Sequence, residues 1–219
     1  MKKQEVRARI EEIGIIPAVR TSSAADARFA AETVSRGGIP VAEITVTVPE
    51  AMKVITGLTS SFPEMIVGAG TVLDIETAQR CLDAGAKFLT SPGLVLEVVE
   101  FAAKNEVAVF PGALTPTEVI TASKAGADLV KVFPCAQVGG DSYIRALRAP
   151  LPHVPLIASG GVNQQTALNF VLAGAAALGI GGELIPKEAV QRRQAERILE
   201  LARRFTKLVK DARSRMAAQ

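Results

Sequence analysis

Four stretches of this chain repeat one phrase: GGIPVAEITV from Gly37, AGAKFLTSP from Ala84, AGADLVKVFP from Ala125 and AGAAALGIGG from Ala173. Successive copies begin roughly 41 to 48 residues apart. Each phrase closes a helical pattern on small residues and opens a run of strand formers. A unit of two strands and two helices repeated four times closes naturally into an eight-stranded (β/α) barrel. The runs between turn signals supply the eight strands: Ile15 to Val19, Val41 to Val48, Met65 to Gly68, Lys87 to Thr90, Val107 to Phe110, Leu129 to Phe133, Leu156 to Ala158 and Ala177 to Ile180. Amphipathic stretches lie between them, several of them ending at glycine, as at Gly37, Gly85 and Gly126. A doubly wound open sheet is the competing arrangement, and eight regular units favour closure.

Size and composition agree with one such domain over residues 1–219, flanked by an N-terminal helix and a long C-terminal helix. Nearly half of the residues (48%) are hydrophobic, enough for a sizeable core. No apolar run approaches the ~20 residues of a membrane span, and Met1 to Ile10 is too polar for a secretory signal, so a cytoplasmic location is expected. Two cysteines, Cys81 and Cys135, cannot build a disulfide framework, and the single His153 leaves no histidine-based metal site. Neither a metal nor an organic cofactor is expected. Lys187 to Gln219 carries ten basic against four acidic residues and is read as one terminal helix. Its apolar stripe of Ile198, Leu201, Ala202, Phe205, Leu208, Val209 and Ala212 faces a core, so the charge is a solvated face rather than a nucleic-acid or membrane surface. One tyrosine and no tryptophan leave few platforms for stacking bases.

One lysine breaks the apolar strand pattern. In Asp128 to Pro134, Lys131 sits mid-strand, where burying an ammonium is costly and the neutral amine that attacks carbonyls is favoured. The other lysines, such as Lys53 and Lys104, lie on amphipathic stretches whose charged heads reach water; Lys131 has no such exit. Strand alternation sends Leu129, Lys131 and Phe133 one way, and places Val41, Glu43, Thr45 and Thr47 on the face opposite the helix layer. Glu43 and Lys131 are both candidates for the barrel interior, either as a reacting pair or as a buried ion pair that only neutralises itself.

In a barrel the chemistry lies where the strands end, and here those loops are unusual. Arg20 after the first strand can fork onto a carboxylate or pair with Glu43, and Thr45, Thr47 and Thr71 can orient a ligand oxygen or stand as ordinary strand residues. Gly160 and Gly161 of the Ser159-Gly-Gly-Val-Asn163 loop, and Gly181 and Gly182 after the last strand, present backbone N–H groups where a phosphate would sit. Cys135 has no histidine partner in view and reads as an ordinary small residue.

Taken together, VAEITVTVPEA around Glu43, VGAGTV ending at Val72, LTSPGL around Pro92, FPGALTPTE, LVKVFP around Lys131, SGGVN and GIGGELI resemble the 2-keto-3-deoxy-6-phosphogluconate (KDPG) and 4-hydroxy-2-oxoglutarate (KHG) aldolases, from about Ile15 to Pro186. The resemblance implies cleavage of a small 2-keto acid to pyruvate and an aldehyde, glyceraldehyde 3-phosphate or glyoxylate. It makes Lys131 the Schiff-base lysine and Glu43 the acid/base. It lines the pocket with Thr71, Pro92 and Phe133, gives Arg20 the substrate carboxylate, and makes Ser159, Gly160, Gly161, Gly181 and Gly182 the phosphate loops. It also implies a homotrimer and a place in the Entner–Doudoroff route. Two positions depart from the family pattern. Thr47 stands where some members carry arginine, and Glu183 where several phosphate-binding members carry serine. The residues alone leave two other readings open, a sugar-phosphate isomerase or epimerase using Glu43 without an imine, and a non-catalytic trimeric scaffold.

Overall fold

The repeated phrase folds the same way four times. In each copy a glycine just past the helix end takes the left-handed conformation that ends a helix cheaply: Gly38, Gly85, Gly126 and Gly174, with φ between 96° and 103°. At the first copy the left-handed residue is Gly38, one position beyond the expected Gly37, whose φ is −75°. At the other end of the helices Ser23, Asp74 and Thr115 accept hydrogen bonds from Asp26, Thr77 and Glu118 amides, so the helix starts are fixed locally.

A computed structural model describes residues 1–218. Its elements run α1 (Lys3–Ile13), β1 (Ile15–Val19), α2 (Ala24–Arg36), β2 (Val41–Thr45), α3 (Ala51–Ser61), β3 (Ile66–Gly70), α4 (Ile75–Asp83), β4 (Phe88–Thr90), α5 (Leu96–Lys104), β5 (Ala108–Phe110), β6 (Gly112–Ala113), α6 (Pro116–Lys124), β7 (Val130–Val132), α7 (Asp141–Arg148), β8 (Leu156–Ser159), α8 (Ala167–Leu172), β9 (Ala177–Ile180), α9 (Lys187–Gln191) and α10 (Ala195–Ala217). All strand pairs are parallel, and spatial order follows chain order from β4 back to β1 and on through β9, β8 and β7. A doubly wound sheet would reverse that order at a switch point, so the sequence arrangement is that of a barrel.

The ring comes round at the fifth strand, which is longer than expected and interrupted. Pro111 has no N–H to donate, and the ladder changes partner there: β5 pairs with β4, and β6 with β7. Carbonyls of Val109 and Pro111 accept from Asp128 and Lys131 amides, so one strand is bonded on both sides.

Inside the barrel Phe88 and Phe110 stack with ring centroids 5.3 Å apart and fill the interior. At the N-terminal end α1 inserts Val6 and Ile10 into the core. Lys3 pairs at 3.2 Å with the buried Asp128, whose other neighbour is the Val109 amide at 2.9 Å. That pair ties α1 to the start of β7, the strand that carries Lys131. Arg213 of α10 donates to the Glu11 and Glu12 carbonyls and so fastens the C-terminal helix to the end of α1.

Two boundaries moved for local reasons. The strand expected to run to Val48 stops at Thr45, because the Val48 amide turns back to the Thr45 carbonyl. The helical pattern that the sequence begins at Gln164 becomes helix only at Ala167, because the Asn163 side chain accepts from the Gln165 and Thr166 amides and holds them in a turn.

A third difference changes the site. The basic segment from Lys187 is two helices rather than one, since Arg193 between α9 and α10 takes a φ of 52°. The stripe on α10 does bury Ile198, Ala202, Phe205, Val209 and Ala212. Among the described residues no helix is long and apolar enough to cross a membrane.

Candidate active site

At the C-terminal ends of the strands opens a cavity of about 680 Å³, a volume in the usual range for small-molecule sites. Lys131 enters it from β7 and Glu43 from β2. Room for the carboxylate is made by glycine: a Cβ on Gly70 of β3 would lie 2.3 Å from Glu43 Oε1. Lys131 Nζ lies 3.7 Å from Glu43 Oε2, with the two side chains 12% and 5% exposed. The pair is thus electrostatically close without a hydrogen bond, which leaves the nitrogen free to approach a carbonyl. Lys131 Nζ also lies 5.7 Å from the Phe133 ring centroid, within cation–π range. The sequence reading gave Lys131 no way out of the strand. The structure gives it one, into the cavity.

Arg20 is exposed, lines the cavity and has no ion-pair partner among the described residues. The alternative bridge to Glu43 is therefore not formed, and its guanidinium fork faces the cavity unspent. Thr71 follows Gly70 with a φ of 62°. A β-branched residue in that conformation costs on the order of 1–3 kcal/mol, and here it places the residue in the cavity wall. Pro92 and Phe133 line the same cavity. Thr47 does not. It lies past the end of β2, exposed, and its hydroxyl is within 3.0 Å of the Thr45 hydroxyl, which in turn donates to the Val19 carbonyl. Strand alternation placed Thr47 beside Glu43, and the turn after Thr45 takes it away.

Ser159, Gly160, Gly161, Gly181 and Gly182 all line the cavity. The Gly161, Val162, Gly182 and Glu183 amides form no hydrogen bond to another group among the described residues, so two adjacent loops offer free N–H donors. Thr166 holds the first loop by donating to the Gly161 carbonyl at 2.9 Å. The Glu183 side chain is exposed and borders both this cavity and a shallower groove lined by Arg197 and Arg204. It stands at the divide between the two.

Sequence reasoning missed part of the wall. Asp26 in the first turn of α2 and Lys187, Val190 and Gln191 of α9 also line the cavity. Of the segment after β1 the sequence pattern singles out only Arg20, and it merges α9 into the terminal helix. The usable signal was the Ser23 cap, which fixes where α2 begins and so where Asp26 stands.

Cys135 is buried, its thiol directed to the Gly140 carbonyl at 3.5 Å, and desolvation pushes its pKa up to about 11. Burial does the same for Cys81. Neither is a thiolate at neutral pH. Among the described residues no three His, Cys, Asp or Glu side chains gather as a metal site would require.

Known proteins carry the same arrangement of sequence. Residues 6–201 match the family described as KDPG and KHG aldolase. The 2-dehydro-3-deoxy-phosphogluconate aldolase of Pseudomonas aeruginosa is 31% identical over 88% of this chain and 87% of its own. The KHG/KDPG aldolase of Escherichia coli is 30% identical over 86% of this chain and 89% of its own. A solved structure of KDPG aldolase from Legionella pneumophila, with pyruvate captured at low pH as a covalent carbinolamine intermediate, superposes with a TM-score of 0.83. It is 30% identical and covers 93% of this chain and 97% of that one.

Proposed function

The chain belongs to the KDPG and KHG aldolase family and is a carbon–carbon lyase of that family, and on this premise we propose which of its residues perform the cleavage. The observation that carries the reading is the 3.7 Å approach of Lys131 to Glu43 at the floor of a cavity that Arg20 also faces.

Breaking a bond beside a ketone leaves an electron pair that the carbonyl holds poorly. Lys131 attacks the substrate C2 carbonyl and forms a carbinolamine, which loses water to a protonated imine, a far better electron sink. Glu43 then removes the C4 hydroxyl proton as the C3–C4 bond breaks. The electrons move into the imine, releasing the aldehyde and leaving the pyruvate enamine. Glu43 returns a proton to C3, and water hydrolyses the imine to free pyruvate and Lys131. Arg20 holds the carboxylate of the pyruvyl portion, and the open amides of the Gly160–Val162 and Gly182–Glu183 loops receive a phosphate. With Thr47 outside the cavity, Arg20 carries the carboxylate alone. Every step draws on the chain's own residues. A panel of 2-keto-3-deoxy acids, phosphorylated and not, assayed for pyruvate release tests the substrate range, and absence of release from all of them overturns the reading.

Glu183 bears on phosphate. Its amide belongs to the cradle while its carboxylate can swing toward Arg197 and Arg204 in the neighbouring groove. With the carboxylate swung away, Glu183→Ser leaves KM for phosphorylated and unphosphorylated substrates nearly unchanged. A large fall in KM confined to the phosphorylated substrate would place the carboxylate against the phosphate.

The reading extends to a cytoplasmic homotrimer acting as one barrel domain. Leu73, Ile75 and Leu96 at the starts of α4 and α5, and Ile120 midway along α6, are 38% to 51% exposed and supply apolar surface for self-association. Light scattering after size exclusion is expected to give three copies, and Leu73→Asp with Leu96→Asp to give one. A monomeric parent protein removes the trimer.

A further inference from the structure

Arg193 keeps a left-handed backbone that glycine would adopt without cost, at a φ of 52°. Its side chain makes up for that strain. Nη1 pairs with Asp26 Oδ1 at 2.8 Å, and the guanidinium lies 4.8 Å from the Phe29 ring centroid. Both contacts reach across from the α9–α10 turn to α2. Asp26 is only 17% exposed and lines the cavity, and Arg193 is its one ion-pair partner among the described residues. The carboxylate is thus held with one oxygen on Arg193, and its second oxygen has no hydrogen-bond partner among the described residues. It stands on the loop side of the cavity, beyond the strand interior that holds Lys131 and Glu43.

We propose that Asp26 is a specificity-determining residue that accepts a hydrogen bond from a hydroxyl on the aldehyde portion of the substrate, and that Arg193 is the positioning residue that holds it there. The proposal rests on the aldolase reading above and deepens it. The favoured class is a 2-keto-3-deoxy sugar acid with a hydroxyl on C5, one carbon past the C4 alcohol at the cleaved C3–C4 bond. 4-Hydroxy-2-oxoglutarate has a carboxylate at that place, which Asp26 repels. A cavity of about 680 Å³ also leaves room for a chain longer than that five-carbon acid.

The test compares kcat/KM for 2-keto-3-deoxy-6-phosphogluconate and for unphosphorylated 2-keto-3-deoxygluconate, each divided by that for 4-hydroxy-2-oxoglutarate, in the full chain. Asp26→Ala and the near-isosteric Asp26→Asn are expected to lower both ratios about tenfold or more, the scale of one lost hydrogen bond to a charged group. The change falls mainly on KM. Arg193→Gly relieves the backbone yet is expected to lower both ratios several-fold with thermal stability kept, and Arg193→Lys to restore part of the loss. A purely structural arginine would move stability and leave the ratios alone. Ratios unchanged in both Asp26 variants, or changed only for the phosphorylated acid, overturn the proposal. Borohydride trapping of pyruvate by the parent protein separates the two levels: trapping intact with unchanged ratios removes only Asp26, whereas no trapping removes the aldolase reading beneath it.

Discussion

Lys131→Arg abolishes pyruvate release while leaving the fold in place. Guanidinium remains protonated at any pH the protein survives, so it can pair with Glu43 but cannot add to a carbonyl and lose water to an imine. The parent protein incubated with pyruvate and reduced with borohydride carries a stable secondary amine at residue 131, located by peptide mass spectrometry. The arginine variant carries none. No other described lysine shares the position of Lys131, mid-strand, 12% exposed and 3.7 Å from a buried carboxylate. Label on a different lysine, or residual turnover in the arginine variant, would remove Lys131 from the mechanism.

Glu43→Gln lowers turnover by about 10²-fold or more, the scale of losing a positioned acid/base. Trapping with pyruvate persists at a reduced rate, because forming the imine requires Lys131 and only proton traffic requires Glu43. Stability has to be read beside activity. Removing one partner of a buried pair costs about 3–5 kcal/mol when the other must stay charged. Here the cost is smaller, since Lys131 is 12% exposed and opens onto the cavity, where water reaches its amine. A thermal midpoint close to that of the parent together with the rate loss assigns the effect to chemistry. Cleavage at the parental rate would leave Glu43 as a charge partner only, and the barrel would need another base.

The two predictions differ in how much of their basis the sequence already held. A lone lysine in an apolar run, and a glutamate on the inward face of another strand, are legible because strand alternation has a period of two and a barrel has only two faces. The repeat gave the count of strands and the closure, because one supersecondary unit cannot bury its faces alone. Thr47 shows the limit of that logic. Periodicity continued the strand past Thr45, but the Val48 amide turned back, and one turn was enough to take a side chain out of the cavity. Arg20 was equally open in sequence between a substrate carboxylate and Glu43, and only the packed interior gave Glu43 to Lys131.

What the sequence determined by itself was everything governed by local pattern: the parallel barrel, the left-handed glycines after the helices, the inward lysine and glutamate, and the glycine loops at the strand ends. What tertiary structure decided was everything governed by meetings across the chain. Gly70 yields the space that Glu43 occupies from the next strand. Pro111 lets one strand serve two neighbours and bring the ring round. Arg193 breaks the terminal helix to reach Asp26 and Phe29, residues more than 160 positions earlier in the chain. Propensity favours an unbroken helix through Arg192 to Gln194, and a short-range reading follows it. The break is stable because an ion pair and a ring contact from a distant helix outweigh the strain of one left-handed residue, a balance that exists only once the barrel has brought α2 and α9 together.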